Sequence, residues 1–149
     1  MITTLVYTLT SADSSIVKEF IFKDIDGDGG NEPVISVDTL DAHIEYTGRI
    51  TLLNESESPA EDITAEVEEE GAEHQLFFIG TGSDMEITYM DADENGNPLG
   101  LKTLVLTDSI SEGTLNIVLR HQPKKPNDGT LSDAGGSTDI SVEFDVFIR

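Results

Sequence analysis

Apolar and polar side chains alternate along most of this chain, a pattern typical of half-buried β-strands. The most regular run is 140–148, in which only Phe147 breaks the alternation. Further runs predict strands at 3–9, 16–23, 34–37, 43–54, 75–79, 85–89, 101–107 and 114–121. Turn-forming residues separate these runs at intervals of roughly 8–12 residues, as in antiparallel sandwiches. The pattern therefore predicts an all-β fold, an immunoglobulin-like antiparallel β-sandwich in which residues 1–149 form a single domain.

One segment departs from the strand pattern and predicts a short inserted helix over 59–70. Ser58 is a suitable N-cap, Pro59 suits the first helical position, and Glu61 lies three residues after the cap. Gly71 is a suitable stop. The segment is long enough for about three helical turns at roughly 3.6 residues each.

The faces of this helix, together with the strand that follows it, indicate half of a metal site. Ala60, Ile63 and Val67 mark its buried stripe, while Glu70 and Glu66 lie at the edge of that stripe. His74 then begins a strand on the face that carries apolar side chains. An ionisable side chain on an inward face needs a partner, which is either a metal ion or a hydrogen bond.

A second histidine has a matching position in another predicted strand. His121 ends the run 114–121 on its apolar face, and inward-facing strand ends lie at the rim of a sandwich. Two imidazoles with a carboxylate from Glu70 or Glu66 form a mixed nitrogen and oxygen set that suits zinc, copper or iron. The hypothesis requires that His74 and His121 meet. The alternative is that both are structural, as is expected of His43, which faces away from the apolar side of its strand.

Two acidic loops offer a second kind of cation site. The possible calcium ligands are Asp24, Asp26 and Asp28 in the first loop and Asp91, Asp93 and Asn95 in the second. In each loop they occupy alternate positions and a glycine follows, as in calcium-binding loops. The bidentate glutamate of such loops is missing, because Ile35 and Lys102 stand at its position, and the flanking strands exclude an EF-hand. Ordinary Asp/Asn/Gly turn chemistry accounts for the same residues.

The charge and composition limit the classes of partner. Thirty Asp and Glu against eight Lys and Arg give a net charge of −22, which opposes binding to nucleic acid or anionic lipid and attracts cations. Without cysteine, the chain has neither disulfides nor thiolate metal ligands. It has no apolar run of about 20 residues that would span a membrane. Because the chain begins in strand-like sequence, Met1 is expected to replace a removed leader.

The sequence contains no motif typical of an enzyme. A Gly-x-Ser-x-Gly elbow, a phosphate-binding glycine loop and a cysteine nucleophile are all absent from it. Acidic pairs are abundant, but with thirty acids their proximity carries little information. We therefore expect a protein without catalytic activity.

Three stretches resemble a family of small envelope lipoproteins of Bacteroidota, mainly flavobacteria. They are LLNESESPAEDITAEVEEEGAEHQLFF at 52–78, DADENGNPLGL at 91–101, and 119–144, which contains LRHQPKKPNDGTL and GGSTDISVEF. The resemblance implies an extracytoplasmic protein in the periplasm or on the outer membrane surface, held by a lipid anchor outside this chain. It also implies association with a TonB-dependent outer-membrane receptor, and it implies no catalytic residues.

The leading hypothesis is an extracytoplasmic protein that binds a transition metal, zinc or copper before iron, for capture or for delivery to an outer-membrane receptor. Its rival is a structural or adhesive sandwich module whose acidic loops hold calcium. A receptor for a small molecule or a peptide is the third alternative, and a deep pocket would distinguish it.

Overall fold

The computed structural model describes residues 1–27 and 29–149, so the prediction for Asp28 lies outside the described residues. The strands in these ranges are β1 (Thr4–Ser11), β2 (Val17–Lys23), β3 (Val34–Val37), β4 (Glu45–Asn54), β5 (Glu61–Asp62), β6 (His74–Thr81), β7 (Met85–Tyr89), β8 (Lys102–Thr107), β9 (Ser111–His121) and β10 (Ser137–Ile148). The two α-helices are α1 (Ile63–Glu69) and α2 (Leu131–Ala134). A 3₁₀ turn covers Gly71–Glu73. None of the described helices is long and apolar enough to cross a membrane.

The strands form two antiparallel sheets that pack as a sandwich. The large sheet has the order β3-β2-β1-β4-β8-β7, with β5 beside β4, and the small sheet has the order β10-β9-β6. The prediction of an all-β sandwich with few helices is therefore confirmed.

The core lies between the sheets and is formed by the alternating apolar positions of both. Tyr7, Phe20 and Phe144 are fully buried, and their rings link the large sheet to β10. The ring centroids of Phe20 and Phe144 lie 5.6 Å apart, and those of Tyr7 and Phe20 lie 6.5 Å apart. Each large side chain buried in this way stabilises the fold by about 1.5–3 kcal/mol relative to an exposed one.

The inserted helix begins later than its sequence predicts. Residues Glu61 and Asp62 stay extended and pair with β4, so Ser58 does not cap a helix. The N-cap of α1 is Asp62, whose side chain accepts a hydrogen bond from the Ala65 N–H at 3.2 Å. Pairing with a neighbouring strand has thus overridden the local helix-start signal. The predicted buried stripe is confirmed for Ile63 and Val67, which are the buried side chains of α1, and is wrong for Ala60, which is exposed because the helix begins after it.

Candidate metal centre

The structure brings the two inward-facing histidines together at the rim of the small sheet. His74 is the first residue of β6 and pairs directly with His121, the last residue of β9. Directly opposed side chains in an antiparallel pair lie on the same face. Their ring centroids are 4.8 Å apart. The requirement that these two residues meet is therefore satisfied by the strand register.

The ring of His74 is buried and held in one orientation. Its side chain is 5% exposed, and its Nδ1 lies 3.1 Å from the backbone carbonyl oxygen of Glu70. A carbonyl can only accept, so Nδ1–H donates and the neutral ring keeps its lone pair on Nε2. Metal-binding histidines commonly donate their second ring N–H to such an acceptor. The turn between α1 and β6 thus fixes the tautomer in which Nε2 is free to coordinate.

A third possible ligand is Asp139, which the sequence analysis does not identify. The register of β10 against β9 shifts between Thr138 and Ile140, which leaves Asp139 as the extra residue of a β-bulge. Strict alternation with Ile140 would place Asp139 on the opposite, polar face. Because bulges redirect side chains, its carboxylate instead reaches the two histidines.

The three side chains form a group of possible ligands whose donor atoms all lie within 4.8 Å of one another. Asp139 Oδ2 is 3.6 Å from His74 Nε2 and 3.7 Å from His121 Nδ1. Both distances exceed hydrogen-bond range, so neither ring satisfies the carboxylate directly. Ligand atoms around a tetrahedral zinc ion are about 3.3 Å apart, given bonds of roughly 2.0–2.1 Å. The carboxylate would therefore need to move by only a few tenths of an ångström relative to each ring, whereas the two histidine nitrogens, which lie within 4.8 Å of each other, would approach by up to about 1.5 Å.

A pocket of about 210 Å³ adjoins this group on the side of α1. His74 and Asp139 form part of its wall, together with the apolar side chains of Ile63, Val67 and Leu119. All three possible ligands belong to the small sheet. A bound ion would therefore have its remaining coordination position directed away from that sheet. His121 and Asp139 are 37% and 32% exposed, so an ion there is reachable from solvent.

The two predicted carboxylate ligands, Glu70 and Glu66, are not members of this group. Glu70 is exposed, and it contributes its backbone carbonyl rather than its carboxylate, because the backbone turns at Gly71 immediately after it. Glu66 is exposed and lines the adjoining pocket beside Ile63 and Val67. Asp139 is the carboxylate that lies in this group, and the prediction of Glu70 and Glu66 as ligands stays a prediction.

The first acidic loop uses its described carboxylates to hold its own backbone. Asp24 accepts a hydrogen bond from the Gly27 N–H at 3.0 Å. Asp26 accepts two from Asn31, and these hydrogen bonds, backbone first, hold the pKa of the Asp26 carboxyl below its ordinary value. Such contacts are those of a turn.

In the second acidic loop, the carboxylates bind a lysine side chain and backbone N–H groups, and the contacts do not indicate a metal-ion site. Asp91 accepts hydrogen bonds from the backbone N–H groups of residues 100–102. Asp93 accepts from Lys125 Nζ at 3.0 Å and from the N–H groups of Asn95 and Asn97. Burial tends to raise the pKa of the Asp93 carboxyl, but these hydrogen bonds outweigh it and hold the pKa below its ordinary value. The calcium hypothesis stays a prediction, and the contacts in both loops do not support it.

The third histidine differs from the other two. His43 is exposed, as predicted, and its Nδ1 lies 3.0 Å from Asp108 Oδ1. It is not a member of the group formed by His74, His121 and Asp139. The chain thus contains one histidine that can serve as an internal control for metal binding.

Comparison of the chain with models of protein families, with curated proteins and with solved structures gives no match. The resemblance to envelope lipoproteins of Bacteroidota therefore stays a prediction.

Proposed function

We propose that this protein binds a single transition-metal ion through His74 Nε2, His121 Nδ1 and Asp139 Oδ2, without catalysing a reaction. The observation that supports the proposal is the convergence of these donor atoms within 4.8 Å, in a group whose carboxylate is satisfied by neither ring. Two imidazoles and a carboxylate are a ligand set known for zinc and for iron(II).

The proposed role is capture of the ion or its delivery to an outer-membrane receptor. Structural zinc sites commonly have four protein ligands, whereas this group supplies three. The open position and the partly exposed ligands would allow a second molecule to take the ion by ligand exchange. The net charge of −22 would raise the local concentration of cations and speed their capture.

The identity of the ion follows from the donor set and the general order of divalent affinities. For one set of nitrogen and oxygen ligands, affinity rises from manganese through iron to copper and is lower again for zinc. We therefore expect copper(II) to bind more tightly than zinc, and zinc more tightly than manganese. An inverted order would contradict a site built from two imidazoles and a carboxylate.

Calorimetric titration of the metal-free protein with zinc and with copper(II) tests the proposal. We expect one ion per chain, with binding weakened by at least about tenfold in His74→Ala, His121→Ala and Asp139→Asn, as for loss of a metal-site contact. His43→Ala is the matched control, because it also removes a histidine beside a carboxylate. Equal weakening in the control, or no stoichiometric binding in the parent protein, would contradict the proposal.

A further inference from the structure

A second pocket, of about 400 Å³, lies on the outer face of the large sheet between α1 and the loop after β7. Its volume falls within the roughly 300–1,000 Å³ of small-molecule sites. Arg49 and Thr51 of β4 line it from the sheet, together with the buried Ile50 that lies between them. Leu99 and Leu101 add apolar surface to its wall.

Two basic residues on neighbouring strands line this pocket. Arg49 of β4 stands directly opposite Lys102 of β8 in the antiparallel register, and both line the pocket. Like charges in directly opposed positions destabilise a sheet. In the described ranges, no carboxylate oxygen lies within 4.0 Å of either side-chain cation. An unneutralised pair of this kind is unexpected in a chain with thirty acidic residues.

Most of the other basic side chains are paired with a carboxylate. Five of them form ion pairs with carboxylates, and Arg120 donates to the Gly135 carbonyl oxygen at 2.9 Å. The two aspartates beside the pocket are also engaged, Asp91 with backbone N–H groups and Asp93 with Lys125. Arg49, Lys102 and Arg120 thus have capacity for an added carboxylate, and of these three cations Arg49 and Lys102 line the pocket.

The remaining acidic side chains of the pocket lie on its other walls. Glu68 and Glu69 project from α1 and Glu94 from the loop after β7, and all three are exposed. A ligand with net negative charge would be repelled by these glutamates and by the overall charge of −22. A ligand with net positive charge would be repelled by Arg49 and Lys102. A molecule that carries both charges and has no net charge meets neither obstacle.

We propose that this pocket binds a small zwitterion with an aliphatic body, either a free α-amino acid or a short peptide. Its carboxylate would contact Arg49 and Lys102, and its ammonium group would face Glu68, Glu69 and Glu94. The guanidinium of Arg49 can hold a carboxylate through two parallel hydrogen bonds. The leucines of the wall would contact the aliphatic part. This binding function is independent of the metal site.

The test is titration of isotopically labelled protein, followed by NMR, with four related ligands and inorganic phosphate. Leucine and alanyl-leucine are both zwitterions. The one that binds with the lower dissociation constant identifies the ligand class as free amino acid or peptide. N-acetyl-leucine lacks the ammonium group and leucinamide lacks the carboxylate. We expect saturable shifts of residues around the pocket with a zwitterion, and binding weaker by about tenfold or more with each one-charge analogue and with phosphate.

Single substitutions test the two cations. Arg49→Gln and Lys102→Gln should each weaken binding of the zwitterion by about tenfold or more, since each removes a charge-assisted hydrogen bond. Lys18→Gln is the control, because Lys18 lies on β2 outside the pocket. Absence of binding by both zwitterions, equal binding of N-acetyl-leucine, or unchanged binding in both substituted proteins would overturn the proposal. Because the measurements are made without metal, failure here leaves the metal proposal unaffected.

Discussion

The ion pair between Lys125 and Asp93 stabilises the second acidic loop, and its removal should lower the free energy of unfolding by an amount that the structure allows us to predict. The side chains are 5% and 0% exposed, and Lys125 also donates to the Gly71 carbonyl oxygen at 2.9 Å. Lys125→Met keeps most of the apolar stem but leaves the Asp93 carboxylate buried without its cation. Removal of one partner from a buried pair costs about 3–5 kcal/mol. We expect the lower end, about 3 kcal/mol, because Asp93 keeps its two backbone donors.

This loss should lower the melting temperature by roughly 6–12 °C, since 1 kcal/mol corresponds to about 2–4 °C for a domain of this size. Urea unfolding at neutral pH measures the free energy of unfolding directly. Lys124→Met is the matched control, because Lys124 is the neighbouring residue and its pair with Asp133 is exposed. The control should change stability little. In Asp93→Asn with Lys125→Met, part of the loss should be recovered, because no charge is left buried.

The contacts of Asp93 also predict how the stability of the folded protein changes at acidic pH. The pKa of Asp93 in the folded protein lies below its ordinary value, so its stabilising effect is present above the unfolded pKa of about 3.9. That effect is lost as the pH falls through the lower folded pKa. Below about pH 4, the parent protein should therefore lose more stability than Asp93→Asn.

Similar small effects of Lys125→Met and Lys124→Met on the free energy of unfolding would refute the claim that Asp93 is held by a buried lysine.

Three further predictions concern the bulge, the core and the acidic loops. Deletion of Asp139 should preserve the paired register of β9 and β10, because Asp139 is the unpaired residue, yet it should abolish stabilisation by zinc. In calorimetric melting, the parent should gain about 2.7 kcal/mol at free zinc a hundredfold above its dissociation constant. An equal gain in the deletion variant would argue against Asp139 as a ligand. Gly48→Ala should lower the free energy of unfolding in urea by about 1–3 kcal/mol, because a Cβ there meets the side chains of Thr103 and Tyr7, whose hydroxyl groups hydrogen-bond to each other at 2.6 Å. Gly80→Ala is its control, because a Cβ there has no neighbour within 4 Å. Equal costs of the two substitutions would contradict this packing. Millimolar calcium should leave the melting temperature unchanged, whereas a rise that Asp91→Ala removes would restore the calcium hypothesis.

Alternation of apolar side chains was sufficient to predict nine of the ten described strands and the facing of both histidines. The predicted bounds 34–37 and 85–89 are those of β3 and β7. His74 and His121 were placed on inward faces at strand ends, and the observed register pairs them directly. This success has a physical cause, since a period of two is fixed by the pleat of a strand and is read directly from the residues.

Three features depend on contacts that local sequence does not encode. Asp139 lies at a β-bulge, where one extra residue interrupts the alternation of inward and outward side chains, so the alternating pattern assigns Asp139 to the wrong face. The helix start at Ser58 was predicted from local capping chemistry, but Glu61 and Asp62 pair with β4 instead. The two acidic loops have almost the same ligand pattern, and only the distant Lys125 distinguishes the second as a closed turn.

The most direct test of the metal proposal is long-range ¹H–¹⁵N NMR of the histidine rings during titration with one equivalent of zinc. The account predicts that the resonances of His74 Nε2 and His121 Nδ1 shift together and saturate at one ion per chain, while both ring nitrogens of His43 stay unchanged. Parallel shifts of all three histidines, or no shift of His74, would contradict it.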